Sequence, residues 1–303
     1  MIKLLKNIYR TSTIGQKVLF PIKRCYDFIW VRVLPEKLFL SHIYKLRFKR
    51  KLCFDNPRTI QEKYLWLRLN DKTQLHTQCA DKYLVRNYIK EKIGNKYLIP
   101  LLFQTKNSKD ITKEKLPNIP IIIKTNHACG GHTIIKDKKK VCYRQLQKKL
   151  KRDLKKKFYY RSRQWQYKNI IPRIIIEKLL IDKSNQKLFD YKLHCYNGTV
   201  VLIEVYFYIQ NKKSINFYDT SWNKLDMRVR TRNNLGKVDK PKNLSEMISI
   251  AEKLSTDFRF VRVDTYNLNG DIYVGELTFT PAVGIQGFLP EKWNYIFGDM
   301  LKL

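Results

Sequence analysis

Two carboxylates, Asp264 and Glu276, lie in the stretch VRVDTYNLNGDIYVGELTFTPAVG at 261–284, among apolar and β-branched neighbours. Val261 and Val263 flank Arg262, Asn267, Asn269 and Gly270 supply a turn, and Ile272, Tyr273 and Val274 lead into Glu276. The pattern predicts a β-hairpin with a loop of about four or five residues. In an antiparallel pair the two carboxylates would face each other, and like charges directly opposite destabilise a ladder. A Mg²⁺ ion held by both and by substrate phosphates would neutralise them. The plainer alternative is a pair of solvated carboxylates on an edge hairpin.

A second stretch suits phosphates. In PNIPIIIKTNHACGGHTII, Ile121–Ile123 read as a buried strand that delivers Lys124 into a polar loop, Thr125–His132, before a return strand at Thr133–Ile135. Backbone N–H groups of a loop containing Gly130 and Gly131 approach phosphate oxygens closely, and Lys124 adds a point charge. The spacing is not that of a Walker A loop. A phosphate loop and a downstream carboxylate pair together suit chemistry at a nucleotide γ-phosphate. Cys129 sits in the loop with no base to activate it, so it is not expected to be a nucleophile. His132 is read as a loop residue without a role, and His194 and the tryptophans as packing.

These groups need elements to hold them. Thr59 and Glu62 match a capping box that opens a helix with Ile60, Tyr64 and Leu67 on one face. Asp81 is a plausible N-cap for a helix carrying Leu84, Val85, Tyr88 and Ile89, closed by Gly94. Short strands are expected at 97–103 and 172–180. A hairpin is expected over Asp190–Tyr208 around Asn197-Gly198. The basic stretch 136–168 reads as mostly helical, and 243–258 as a helix with a 3.6 period.

Composition narrows the class. The chain has 303 residues, 44% hydrophobic and 13% aromatic. That is enough for a sizeable core and is not a disordered composition. No apolar run is long enough to span a bilayer, and the N-terminus lacks a secretory pattern. Six scattered cysteines with no C-x-x-C pair argue against zinc and against a disulfide framework, so the cytoplasm is the expected compartment. The net charge is +35, and it is clustered: residues 1–52 carry 13 basic and 2 acidic side chains, residues 136–163 carry 14 and 2. Such fields attract polyanions: nucleic acid, acidic polysaccharide or anionic membrane. Residues 1–52 also mix basic and apolar side chains as short amphipathic helices do, so this segment either lies at a membrane surface or docks on the rest of the protein.

In chain order, DK at 81–82, PIIIK at 120–124, IIIEKLL at 174–180, DYK at 190–192 and RVD…GELTFTP at 262–281 resemble an ATP-grasp ligase. More narrowly, KTNHACGG and VRVDTY…GELTFTPA resemble the TupA-like ATP-grasp family of bacterial surface-polysaccharide (teichuronopeptide) biosynthesis. The resemblance covers roughly 54–300. It implies an α/β fold of mixed antiparallel sheets with the nucleotide between two sub-lobes. The implied divisions are a basic helical segment at 1–53, an N-terminal lobe at 54–118, a lid at 119–180 and a core with the metal site at 181–303. Lys82 and Lys124 match the lysines that hold ATP phosphates, and the 127–133 loop, with His127, Gly130 and Gly131, matches the loop that closes over them. Glu177, Lys178 and Leu180 match the hinge that reads the adenine, and Asp190 and Lys192 match a polar pair beside the nucleotide. Asp264 and Glu276 match the Mg²⁺ carboxylates, with Arg262 beside them. Thr278 stands where an Asn often completes the metal site, and a hydroxyl is a poorer ligand.

The implied chemistry is amide formation through an acyl phosphate, with ATP and Mg²⁺, joining an amino acid or amine to a uronic-acid carboxylate of a surface glycan. Lys82, Lys124 and Arg262 are the expected catalytic cations. An anionic acceptor, lipid-linked or free, agrees with the basic segments, as does a place at the inner face of the cytoplasmic membrane. A glycosyltransferase of the same pathway is a rival, but no G-x-G-x-x-G follows a strand. A nucleic-acid binder is a rival on charge alone and leaves the carboxylates unexplained. A kinase acting on a glycan hydroxyl would share the nucleotide half.

Overall fold

A computed structural model describes residues 28–181, 188–209, 212–229, 236 and 238–303. The strands are β1 (Leu101–Thr105), β2 (Ile121–Thr125), β3 (Thr133–Ile135), β4 (Ile174–Lys178), β5 (Asp190–Tyr196), β6 (Thr199–Ile209), β7 (Lys212–Tyr218), β8 (Phe260–Leu268) and β9 (Asp271–Thr278). They build two antiparallel sheets, a smaller one ordered β1-β4-β2-β3 and a larger one ordered β7-β6-β5-β8-β9. The helices of seven or more residues are α1 (Glu36–Phe48), α2 (Ile60–Asn70), α3 (Gln74–Ala80), α4 (Val85–Ile93), α5 (Tyr143–Leu154), α6 (Leu244–Ser255) and α7 (Lys292–Met300). The α/β architecture of mixed antiparallel sheets is the expected one.

The two-residue period of the strands decides which side chains reach the site. On one face of the larger sheet, Leu193, Cys195, Val261 and Val263 pack under Val85, Tyr88 and Ile89 of α4 and Met247, Ala251 and Leu254 of α6. The opposite face is divided. Tyr196, Leu202, Phe217 and Phe260 form an apolar core with Ile60 and Tyr64 of α2 and Phe297 of α7. Further along the same strands that face turns polar, with Asp190, Lys192, Glu204, Arg262 and Asp264. In the smaller sheet, Ile121, Ile123, Ile174 and Ile176 pack on Leu146 and Leu150 of α5. The alternate residues Ile122, Lys124 and Glu177 therefore face away from α5.

Local signals explain several boundaries. The Thr59–Glu62 capping box forms, with the Glu62 carboxylate accepting from the Thr59 N–H at 2.9 Å. The β5–β6 turn uses Asn197 (φ 48°) and Gly198 (φ 90°), the left-handed pair a tight hairpin requires. Asp81 ends α3, and its Oδ1 accepts from the Tyr83 and Leu84 N–H groups just ahead of α4. The helix α3 was not expected from the sequence. The basic stretch 136–168 is mostly helical, as expected: α5, the four-residue helix Tyr159–Ser162 and two 3-10 turns, Lys138–Lys140 and Trp165–Tyr167.

Strand β1, inside the stretch expected as an N-terminal lobe, is an edge strand of the smaller sheet. Residues of α2 and α4 share cores with the larger sheet. The expected basic N-terminal segment lies outside the described residues up to 27. Its described part includes α1, which docks through Phe39, Leu40 and Tyr44 on Leu65 of α2. Among the described residues, five cysteines are free thiols and no helix is long and apolar enough to cross a membrane.

Candidate active site

The polar ends of the two sheets enclose a cavity of about 350 Å³, a size suited to a small-molecule ligand. The smaller sheet contributes Ile122, Lys124, Glu177 and Lys178; the larger contributes Asp190, Lys192, Asp264, Tyr266 and Glu276. Lys82 enters from the turn between α3 and α4, and Ala128, Cys129, Gly130 and His132 enter from the β2–β3 loop. Gly130 and Gly131 have φ of 74° and 79°, left-handed values that favour glycine, so the loop can present its backbone closely.

The facing carboxylates are where the hairpin pattern put them: Asp264 is opposite Glu276 in the β8–β9 register, just before a bulge. Cations of the chain itself neutralise them. The Lys82 ammonium lies 2.9 Å from Glu276 Oε2. Lys192 bridges Asp190 Oδ2 at 2.8 Å and Asp264 Oδ2 at 2.6 Å. Arg262 clamps Asp264 with two hydrogen bonds, Nε to Oδ1 at 2.6 Å and Nη2 to Oδ2 at 2.7 Å. The planar guanidinium fork makes that bidentate pair possible, which a lysine could not. In the smaller sheet, Lys124 lies 2.7 Å from Glu177 Oε2, with Arg86 of α4 at 3.5 Å from Oε1.

These charges govern one another. Lys82, helped by Arg262 and Lys192, holds the Glu276 carboxyl down to about 2 against the upward push of burial. Burial acts to lower the pKa of Lys82, but the Glu276 charge overcomes it, and Lys82 stays above the ordinary lysine range. Burial raises the pKa of Asp190, only partly offset by Lys192. On Arg262 the downward effect of burial is outweighed by Asp264.

The structure gathers Lys82, Lys124, Gly130, Glu177, Lys178, Leu180, Asp190, Lys192, Asp264 and Glu276 around this one cavity. Arg262 joins them through Asp264. Thr278 sits opposite Arg262 in the register, its Oγ1 3.4 Å from Arg262 Nη2 and 3.5 Å from Glu276 Oε1. His127 is placed otherwise: it is buried, and its Nε2 meets the Lys156 carbonyl at 2.9 Å, so it braces the loop from behind while His132 lines the cavity. Gly131 is also outside the lining residues. Tyr266 and Gly275 are among the lining residues that escaped the sequence reading. Tyr266 follows Asp264 by two positions and so shares its face, a period-2 signal that was there to use. Gly275 stands where an added Cβ would meet the Tyr266 ring at 2.9 Å, so the missing side chain leaves room in the cavity wall.

The donor set fits Mg²⁺ in a particular way. Asp264 and Glu276 offer hard carboxylate oxygens, but no cluster of three or more His, Cys, Asp or Glu capable of holding a metal occurs among the described residues. Two carboxylates suit an ion whose remaining ligands are phosphates and water, as Mg²⁺ prefers, rather than an all-protein cage.

A family model described as TupA-like ATPgrasp matches residues 62–302. No curated protein sequence matches. Among solved structures the chain is similar to a D-alanine–D-alanine ligase from Helicobacter pylori, at 17% identity and TM-score 0.42, over 80% of this chain and 69% of that one. It is similar to the ATP complex of the Bacillus anthracis D-alanine–D-alanine ligase, at 14% identity and TM-score 0.39, over 66% of this chain and 53% of that one. It is also similar to the ADP complex of N5-carboxyaminoimidazole synthetase from Staphylococcus aureus, at 16% identity and TM-score 0.38, over 78% and 50%. The chain thus spans only about half the length of the latter two. With the family model running from α2 through α7, the chain belongs to the TupA-like ATP-grasp family.

Proposed function

We propose that this protein, an ATP-dependent ligase of the ATP-grasp class, joins the carboxylate of an acidic sugar to an amino acid or amine. One observation carries the reading: Asp264 and Glu276 face each other at the end of a cavity that also presents Lys82, Lys124, Lys192 and a left-handed glycine loop. These groups suit a nucleoside triphosphate with Mg²⁺. Lys82 and Lys124 would bind phosphate oxygens, and the backbone N–H groups around Gly130 would cover them. Asp264 and Glu276 would hold Mg²⁺, which when bound neutralises phosphate charge. The apolar walls from Ile99, Ile122 and Leu180, next to the Glu177–Lys178 strand end, suit a base.

In the reaction, the substrate carboxylate oxygen attacks the γ-phosphorus and ADP leaves, giving an acyl phosphate. An amine then attacks the acyl carbon, phosphate leaves, and the amine loses a proton to form the amide. Arg262 and Lys82 offset charge on the transferring phosphoryl group. The β2–β3 loop excludes water that would hydrolyse the acyl phosphate.

The acidic acceptor is supported by the clustered basic charge, including α5, whose YRQLQKKLKRDL carries three lysines and two arginines. A place at an anionic membrane surface is supported by Val33, Leu38 and Leu46, exposed beside Lys37 and Lys45.

The test is ATP consumption by purified protein with Mg²⁺, uronic acids and pooled amino acids, wild type beside Glu276→Ala. ADP release that requires both a carboxylate and an amine, and that Glu276→Ala abolishes, supports the ligase. A phosphorylated sugar product would transfer the reading to a kinase. Absence of nucleotide binding by the folded wild type would overturn both.

A further inference from the structure

A second cavity, of about 790 Å³, is more than twice the size of the first and within the range of small-molecule sites. Helix α3, the start of α4 and the segment 165–173 ahead of β4 enclose it. It shares the α3–α4 turn with the active site: Asp81 lines this cavity and Lys82 the other. Its charged groups already have partners in the chain. Lys72 Nζ lies 2.8 Å from Glu36 Oε2. Asp81 Oδ1 accepts from the Tyr83 and Leu84 N–H groups and, at 2.8 Å, from Asn126 Nδ2. Arg173 donates to Gln104 Oε1 and lays its guanidinium over the Tyr83 ring, 4.3 Å from the centre.

The polar groups left over are neutral. The side-chain amides of Gln74, Gln78, Asn87 and Asn169 and the Trp165 indole N–H form no hydrogen bond among the described residues. Trp165 is tilted on His76 with 5.7 Å between ring centres, and Thr73 Oγ1 fixes that imidazole at 2.8 Å. Leu84 and Ile171 add apolar surface, 40% and 64% exposed. The cavity is shaped from behind by Asn126, which is wholly buried. Its Nδ2 donates to Asp81 Oδ1 in the α3–α4 turn and, at 3.0 Å, to the Ile171 carbonyl, while its Oδ1 accepts from the Arg173 N–H at 2.7 Å. The backbone carbonyl of Asn126 accepts from the Lys82 N–H at 3.1 Å. One residue thus fixes both the walls of this cavity and the turn that presents Lys82, and a site held in shape before its ligand arrives loses less entropy on binding.

We infer that this cavity binds neutral sugar units of the acceptor, the part of the glycan next to the acidic unit that reacts. The inference rests on the ligase reading above and names a second portion of its substrate. Sugar hydroxyls both donate and accept, and so do the unbonded amides. The C–H face of a sugar ring suits the indole of Trp165 and the aliphatic surface of Leu84 and Ile171. A carboxylate or phosphate is a poorer match, because Lys72 and Arg173 are already engaged. A wholly apolar ligand is poorer still, because it would strip water from four amides and return no hydrogen bond. The shared turn places a glycan held here one bend of the chain from Lys82.

The experiment is a saturation-transfer NMR titration of the methyl glycosides of glucose, galactose and N-acetylglucosamine into the full chain. It compares wild type, Trp165→Leu and a double variant, Gln74→Ala with Asn87→Ala. L-alanine serves as an amino-acid control, and ADP affinity is measured on each protein. Wild type should bind at least one glycoside, with transfer strongest to ring C–H protons. The double variant should weaken that binding by about tenfold, the loss of two neutral hydrogen bonds, and Trp165→Leu should weaken it too, with ADP affinity unchanged in both. Gln74 and Asn87 are exposed, so the double variant carries the test if Trp165→Leu does not fold. No glycoside binding by the wild type, or equal binding by wild type and the double variant, would overturn the assignment. L-alanine binding in its place that depends on Gln74 and Asn87 would overturn the ligand class. Wild type that binds neither ADP nor ATP, yet binds a glycoside that the double variant loses, would retain the sugar site and reject the ligase.

Discussion

Glu276→Gln tests the charge arrangement without any substrate. The side chain keeps its shape and an acceptor oxygen for Lys82 but loses its charge. In the wild type, Lys82 holds Glu276 at about 2, against an ordinary 4.5. At about 1.4 kcal/mol per pH unit, that difference corresponds to about 3 kcal/mol of folding stability. The carboxylate is 33% exposed, so solvent screening removes roughly half, leaving about 1–2 kcal/mol. The sign follows from the depressed value. The contribution is complete above pH 4.5 and is lost as pH falls through the folded value near 2. Glu276→Gln should therefore melt about 2–6 °C below wild type at pH 7, and the gap should narrow steadily below pH 4.5. Calorimetric or circular-dichroism melts of the ligand-free proteins across that range would measure it. No gap at pH 7, or an undiminished gap at the lowest pH where both fold, would refute the pairing of Lys82 with Glu276.

Lys192→Met should cost about 1–3 kcal/mol in urea unfolding, because it leaves the half-buried Asp190 without its cation while Asp264 keeps only Arg262. Gly275→Ala should weaken ADP binding by about tenfold in a titration, since the new methyl group forces the Tyr266 ring to shift within the cavity. Saturating ATP with Mg²⁺ should raise wild-type stability by about 2.7 kcal/mol at a hundredfold excess over Kd, seen as a thermal shift, and Lys124→Met should reduce that shift.

The parts of the site that obey a local rule were legible in the sequence. The Asp264–Glu276 register followed from period-2 alternation around a turn, and Lys124 followed from a strand that ends in a glycine loop. The capping box at Thr59 and the Asn197-Gly198 turn carry their own chemistry. What the sequence left hidden depends on non-local packing. Glu177 pairs with Lys124 only because β4 is inserted between β1 and β2. His127 braces the loop because the Lys156 carbonyl, 29 positions later, lies behind it. Arg47 reaches the Ile285 carbonyl, 238 positions later, through the docking of α1 on α2. No window of neighbouring residues contains those distances.

Two like charges facing each other across a ladder need neutralising. The structure answers that need without a metal: Lys82, Lys192 and Arg262 already balance Glu276 and Asp264. Tolerance of the carboxylate pair is therefore no evidence for Mg²⁺, and the case rests on hard oxygen donors beside a phosphate-suited cavity, together with family membership. The same contacts give the cations a second role. They are paired with carboxylates, and a triphosphate would offer them a more highly charged partner. Lys82 and Lys124 would then exchange Glu276 and Glu177 for phosphate oxygens, freeing Glu276 for the metal at the moment the phosphates arrive. Divalent-ion binding and nucleotide binding should consequently be coupled: the affinity for Mn²⁺ measured by electron paramagnetic resonance should rise when ADP is present. Lys82→Met, which removes the competing ammonium, should bind Mn²⁺ alone more tightly than wild type. Equal Mn²⁺ affinity in the two proteins would mean that Lys82 does not guard the carboxylate.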